Sequence, residues 1–310
     1  MTTLSAVIGL GLLMVDDKSS LQLKLSTVGG GILSAALFGA FVTLFINRES
    51  KHVMESSLQS LFEQQQKDVL DLVSTTSKVH LPAKEYPPTG SFDEVFTTDL
   101  INDMRVSSSF QFRGSSAKWV APYVNYCRKS FAEIQVLMLN PVNTAALRQR
   151  AADRLLIPSN TGRTLDAVVE ELRNEVTRTI VALFDLRHTS KVCVSLDGTL
   201  VSVVRLERTD DAIYVALYHA RPGSSAVNPT TYRYVRGAIA FETYSLEVAR
   251  QLEIAQQRVT FERGQDDADL VKIFKGLGLD EIGGTEIAAL RMQAKNFEKR
   301  FFANMTRIER

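Results

Sequence analysis

Two uncharged apolar runs, Met1–Val15 and Leu25–Ile46, constrain this chain more than any other feature. Between them lie Asp16, Asp17, Lys18 and Lys24, a short charged turn. A helix needs about 20 mostly apolar residues to cross a ~30 Å hydrocarbon core, and Leu25–Ile46 is long enough. Met1–Val15 makes a helix of only ~22 Å, so it spans only if the bilayer thins or the helix extends into Asp16–Lys18. It lacks a basic leading region, and no small-residue cleavage site follows it, which argues against a secretory signal peptide. The runs predict an N-terminal transmembrane helical hairpin over residues 1–48; the competing reading of the second run is a buried core helix.

Gly31, Ala35 and Gly39 fall four apart, on one helical face. In lipid, close backbone approach through such small residues carries helix association, within the hairpin or between subunits of a homo-oligomer. Gly9 and Gly11 offer an opposing surface. Basic residues near the ends are balanced, Arg48 and Lys51 against Lys18 and Lys24, and do not set the orientation. Cys127 and Cys193 sit in apolar runs and read as buried free thiols, which suits a reducing cytosol. The expectation is two spans with the body on the cytoplasmic side.

Residues 49–90 read as a helical connector followed by a linker. Leu58, Leu61, Phe62, Val69, Leu72 and Val73 form an apolar stripe, for pairing two copies or packing on the body. Pro82, Pro87, Pro88 and Gly90 then mark a boundary, placing the folded body at 91–310. There, helical spacing over Phe92–Met104 gives way to a strand at Ser109–Arg113 and a helix over Ala117–Arg128 capped by Ser116. A buried strand over Glu133–Leu139 and a long amphipathic helix over Leu165–Leu186 follow. Strands are expected at Lys191–Ser195, Thr199–Leu206, Ala212–Tyr218 and Tyr232–Val235, and helices over Leu246–Gln257 and Glu286–Ile308. The fold class is α/β: a layered domain behind the hairpin and connector. Thirty-six Lys and Arg against 35 Asp and Glu leave a net charge of +1, which speaks against a protein built mainly to coat nucleic acid.

The stretches SFQFRGSSAKWV, EIQVLMLNPVN and RTDDAIYVALY resemble, in that order, a phospholipase-D-like half-domain of bacterial regulatory and anti-phage proteins. The hairpin with its connector resembles retron-type anti-phage membrane effectors in architecture. That likeness implies a place in the bacterial inner membrane and a role in phage defence. The family's enzymes use His-x-Lys-x4-Asp, with histidine attacking phosphorus and lysine neutralising the phosphate. Here His188 and Lys191 are spaced one residue too far, and His219-Ala220-Arg221 has Arg for Lys and Ala226 at the Asp position. Gly223-Ser224-Ser225 with Asn228 resembles the family's Gly-Ser-x-x-Asn tail.

The resemblance implies a degenerate, non-enzymatic domain, with a phosphodiesterase or nuclease using His219 and Arg221 as the alternative. No metal cluster is readable, since His52 and His80 lie in the connector and the two cysteines are far apart. No P-loop appears either, and no cofactor is expected.

Arg113, Gly114, Ser115, Ser116 and Lys118 form a turn at a helix start, a candidate cradle for an anion. The plainer reading pairs Arg113 with Asp210 or Asp211. Arg205, Arg208, Arg221, Arg233 and Arg236 read either as a basic face for nucleic acid or a nucleotide, or as a mixed solvated surface. Phe297, Phe301, Phe302, Met305 and Ile308, beside Lys295, Lys299, Arg300 and Arg307, suit docking on a lipid surface or packing on the body. The functional expectation is a sensor whose body binds a ligand or partner protein and controls assembly of the membrane helices.

Overall fold

The computed structural model describes residues 30–38, 60–61, 63–69, 71, 76, 79–89, 92–157, 160–197, 204–218, 229–255 and 257–308. The chain divides into two units, Met1–Ser74 and Thr75–Arg310.

In the first unit, residues 30–38 are helical, as are most of 60–71. The membrane hairpin is corrected here. Among the described residues no helix is long and apolar enough to cross a membrane. The same finding overturns the two-span inner-membrane placement. Met1–Val15 and Gly39 lie outside the described residues, while Ala35 sits in the 30–38 helix. Among the described residues, a Cβ added at Gly31 meets nothing within 4 Å.

The second unit is an eight-stranded mixed sheet between helices, with strand order β1-β7-β6-β5-β2-β3-β4-β8. The strands are β1 (Lys84–Tyr86), β2 (Ser109–Arg113), β3 (Glu133–Leu139), β4 (Lys191–Asp197), β5 (Val204–Arg208), β6 (Ala212–Leu217), β7 (Thr231–Val235) and β8 (Gln257–Phe261). Only β2, β3 and β4 run parallel; every other pairing is antiparallel. The helices are α1 (Glu94–Val106), α2 (Val120–Cys127), α3 (Thr144–Leu155), α4 (Leu165–Asp185), α5 (Ile239–Ile254), α6 (Asp267–Gly276) and α7 (Gly284–Ile308).

Side-chain alternation assigns the layers. Phe112, Glu207, Tyr214 and Arg233 share one face by register. That face receives α1, where Phe96 meets the Tyr214 ring edge-on at 5.5 Å and Asp103 binds Arg233 at 2.8 and 2.9 Å. Gln111, Arg208 and Ile213 share the opposite face, where Arg208 reaches Ser245 of α5 at 2.9 Å. Covered on both sides, β3 buries Ile134, Val136, Leu137, Met138 and Leu139 completely, which explains its unbroken apolar run.

Local chemistry sets the helix starts. Asp93 caps α1 by accepting from the Phe96 amide at 3.0 Å, and Asn143 caps α3 through the Ala146 amide at 2.9 Å. Asp266 and Asp269 form a reciprocal capping box on α6. The stretch read as linker contains β1, whose Tyr86 is 2% exposed. On α7, Ile287, Phe301 and Met305 are buried in the body. Phe301 is 1% exposed and meets the rings of Phe92, Trp119, Tyr123, Tyr126 and Phe302.

Candidate anion site at the carboxyl edge of the parallel strands

The turn after β2 is where sequence and structure meet most closely. The Gly114 amide donates to the Leu137 carbonyl at 3.0 Å, and the Leu139 amide to the Ser115 carbonyl at 3.1 Å, fastening the turn to β3. Gly114 has no room for a side chain: an added Cβ would stand 2.7 Å from Phe112 Cζ and 3.4 Å from Arg205 Cγ. Phe112 is itself buried, so its ring has little space to yield. Gly114→Ala is therefore expected to cost about 1–3 kcal/mol in urea unfolding, by overpacking. A cost below about 0.5 kcal/mol would mean that the ring moves aside freely. Ala117, at φ 52°, takes the left-handed conformation and delays the helix, so that α2 begins at Val120 and Ser116 does not cap it.

The five residues proposed as one cradle are divided between two clusters. Ser116 donates to Glu175 of α4, Lys118 Nζ lies 3.1 Å from its other oxygen, and Arg154 Nη2 lies 2.7 Å from the first. Glu175 is buried, which opposes its charge, yet Lys118, Arg154 and Ser116 outweigh that cost and hold its pKa at about 2. The hydroxyl and both cations thus serve an internal carboxylate. Arg113 belongs elsewhere: burial pushes its pKa down, partly offset by Glu247 of α5 and Asp197 of β4. Its Nε is buried without an acceptor among the described residues. Asp210, one partner expected for it, instead accepts from the Ser108 amide and the hydroxyls of Ser108 and Ser109 at 2.6–2.7 Å.

Beside the Ser116–Glu175 cluster is a second set of charges. Arg150 stands one helical turn before Arg154 on α3, with its side chain 10% exposed. Its guanidinium lies 4.6 Å from the centre of the Tyr218 ring, at the end of β6. Arg205, on β5 opposite the Gly114 turn, is 8% exposed, and Tyr218 supports its charge through a side-chain hydrogen bond. Arg205 Nε is 3.5 Å from Glu207 Oε1, within ion-pair range but not aligned as a hydrogen bond. Burial raises the Glu207 pKa despite that arginine. Arg150 Nε, Arg205 Nε and both Glu207 oxygens are buried without hydrogen-bond partners among the described residues. Arg150 has one side-chain contact besides, Asp153 at 3.5 Å.

The other candidate residues do not converge here. Arg233 is fixed by Asp103, Arg208 by Gln111 and Ser245, and Arg236 by Asp211, so the late-strand arginines point to different faces with their own partners. His188 is exposed in a 3-10 turn, and Lys191 pairs with Glu133 at 3.0 Å. His219, Arg221, Ala226 and Asn228 lie outside the described residues. Cys127 and Cys193 are buried free thiols. Among the described residues no group of three or more His, Cys, Asp or Glu is placed to hold a metal.

Sequence reading passed over α3, and with it Arg150 and Arg154. The signal was present: Pro141 and the cap Asn143 precede Ala146, Leu147 and Ala151, all buried at helical spacing. Glu175 also had a signal, a carboxylate within the apolar stripe of Val168, Leu172, Val176 and Ile180.

No protein-family model matches this chain, and no curated protein matches it. A solved structure, TrmBL2, described as an archaeal chromatin protein with a novel mode of DNA binding, is similar at 8% identity and a TM-score of 0.28. The match covers 73% of this chain and 69% of that one.

Proposed function

We propose that the α/β body is a ligand receptor that docks a phosphate-bearing anion on Arg150 and Arg205, at the carboxyl edge of β2, β3 and β4. One observation carries this reading. Two arginines, each nine-tenths buried and reaching in from different elements, converge on Tyr218 while keeping guanidinium N–H groups without acceptors among the described residues. Buried guanidinium groups are costly unless hydrogen-bonded, and their forked donors match phosphate geometry. The location supports it: in open α/β sheets ligands collect beyond the carboxyl ends of parallel strands. The neighbouring Glu175 supplies a contrast, a place where this edge already binds a carboxylate with Ser116, Lys118 and Arg154.

The test is titration calorimetry of the full chain with inorganic phosphate and with a nucleoside monophosphate, repeated on Arg150→Gln. Because Asp153 is 39% exposed, losing Arg150 does not bury an unpaired carboxylate, and the variant should fold. Removing one charged donor is expected to weaken binding about tenfold or more. Equal affinity in the variant, or no binding of either anion, would overturn the proposal.

A further inference from the structure

A groove of about 110 Å³ opens between α2, α4 and α7. Its floor is small and apolar: Ala121 and Pro122 from α2, Ala182 from α4 and Ala294 from α7. Its charged lining falls into two classes. Arg291 is committed to Asp185 and Asp267 at 2.8 Å each, and Lys118 to Glu175. Arg178 and Lys295 also line the groove but form no ion pair among the described residues. Arg178 is placed by an aromatic contact, its guanidinium 5.5 Å from the centre of the Phe297 ring. Glu298 faces the same groove, half-buried, accepting one hydrogen bond from Asn125 Nδ2 at 2.7 Å. Burial raises its pKa, with Asn125 and Lys295 pulling the other way. The groove thus brings Arg178 and Lys295, neither in an ion pair among the described residues, together with the half-buried Glu298 beside small apolar side chains.

We propose that this groove binds a small zwitterionic amino acid, its carboxylate on Arg178 and Lys295 and its ammonium on Glu298. Both signs of charge are matched within one small volume, and the alanine and proline floor takes a short side chain. Glu298 accepts one hydrogen bond from Asn125, and an amino acid brings an ammonium to the same carboxylate where a simple anion brings none. This site is separate from the Arg150–Arg205 edge and does not depend on the receptor reading above. The two are neighbours through Lys118, which lines the groove and also binds Glu175.

The experiment titrates the full chain with L-alanine, L-serine and L-aspartate, alongside N-acetyl-L-alanine and L-alaninamide. At least one amino acid should bind, and either blocking group should weaken alanine-type binding about tenfold or more. Arg178→Gln and Glu298→Gln should each produce a similar loss. Lys295 is exposed, so Lys295→Gln tests the same site without risk to folding. Arg150→Gln should leave amino-acid affinity unchanged, which keeps this result distinct from the phosphate titration. No binding by any of the three amino acids would overturn the proposal. So would binding that survives amidation or survives both Arg178→Gln and Lys295→Gln.

Discussion

Glu175→Gln is expected to destabilise the body by about 3–5 kcal/mol at neutral pH, a loss read as a shifted midpoint in urea unfolding. The substitution preserves shape but strips the charge on which Lys118, Arg154 and Ser116 converge. Arg154 is only 19% exposed, so water replaces the lost partner poorly. The same carboxylate sets an acid limb. Its folded-state pKa of about 2 lies below the ordinary 4.5, so the folded protein holds fewer protons there than the unfolded chain. Its contribution is complete above about pH 4.5 and is lost as pH falls through about 2. That contribution is on the order of 3 kcal/mol. Glu175→Gln should flatten this part of the stability–pH profile. A loss under 1 kcal/mol at pH 7, or an acid limb unchanged in the variant, would contradict the assignment.

Phe301→Ala is expected to cost a further ~3–5 kcal/mol, by deleting a buried aromatic whose cavity the surroundings cannot refill. Five rings from α2, α7 and the segment before α1 stand around Phe301. Edge-to-face geometry, as with Tyr123 at 71° and Tyr126 at 85°, adds to area burial. Met292 on the same helix is 61% exposed and provides the control; Met292→Ala should fall within about 0.5 kcal/mol of the parent. Comparable losses in both variants would mean that α7 does not seal the core through Phe301. Thermal unfolding monitored by near-UV dichroism reports this directly, because Trp119 packs in the same cluster, 4.6 Å from Phe297.

Elements with a clear period were legible in the sequence, because one-sided burial imposes that period. The apolar positions Phe96, Leu100 and Met104 of α1 are buried in the structure, and the apolar run Val136–Leu139 is β3, an interior strand between β2 and β4. Two short strands were missed: β1, three residues long, is too short to show alternation above the surrounding loop chemistry, and β8 begins where the predicted Leu246–Gln257 helix was expected to end, whereas β2 and β7, each five residues long, were legible. Leu25–Ile46 has the composition of a span, but only 30–38 of it lies among the described residues, and no helix among those is long and apolar enough to cross a membrane. At the candidate site, the turn through Gly114 was visible from local residues. Glu175 stood out as a carboxylate in an apolar stripe, but its meeting with Ser116 and Lys118 was not legible, because it arises only when α4 packs beside the turn. The alternating arginines show the same limit. Arg205 and Arg208 are three apart in a strand, so period two sends them to opposite faces, and a count of basic residues cannot form one surface from them.

The pairing of β1 with β7 has a consequence for how the body is made. Tyr86 and Thr231 are register partners, yet a ribosome delivers them 145 residues apart. At 5–20 residues per second β1 waits roughly 7–30 s for β7, its neighbour among the described strands. Tyr86 can meanwhile meet Phe96 of α1, which follows ten residues later, but not Tyr214, its other ring partner. The nascent chain therefore carries its opening strand unpaired through the synthesis of β2, β3 and β4. The sheet's β1 edge is completed late, from the far side of the sequence.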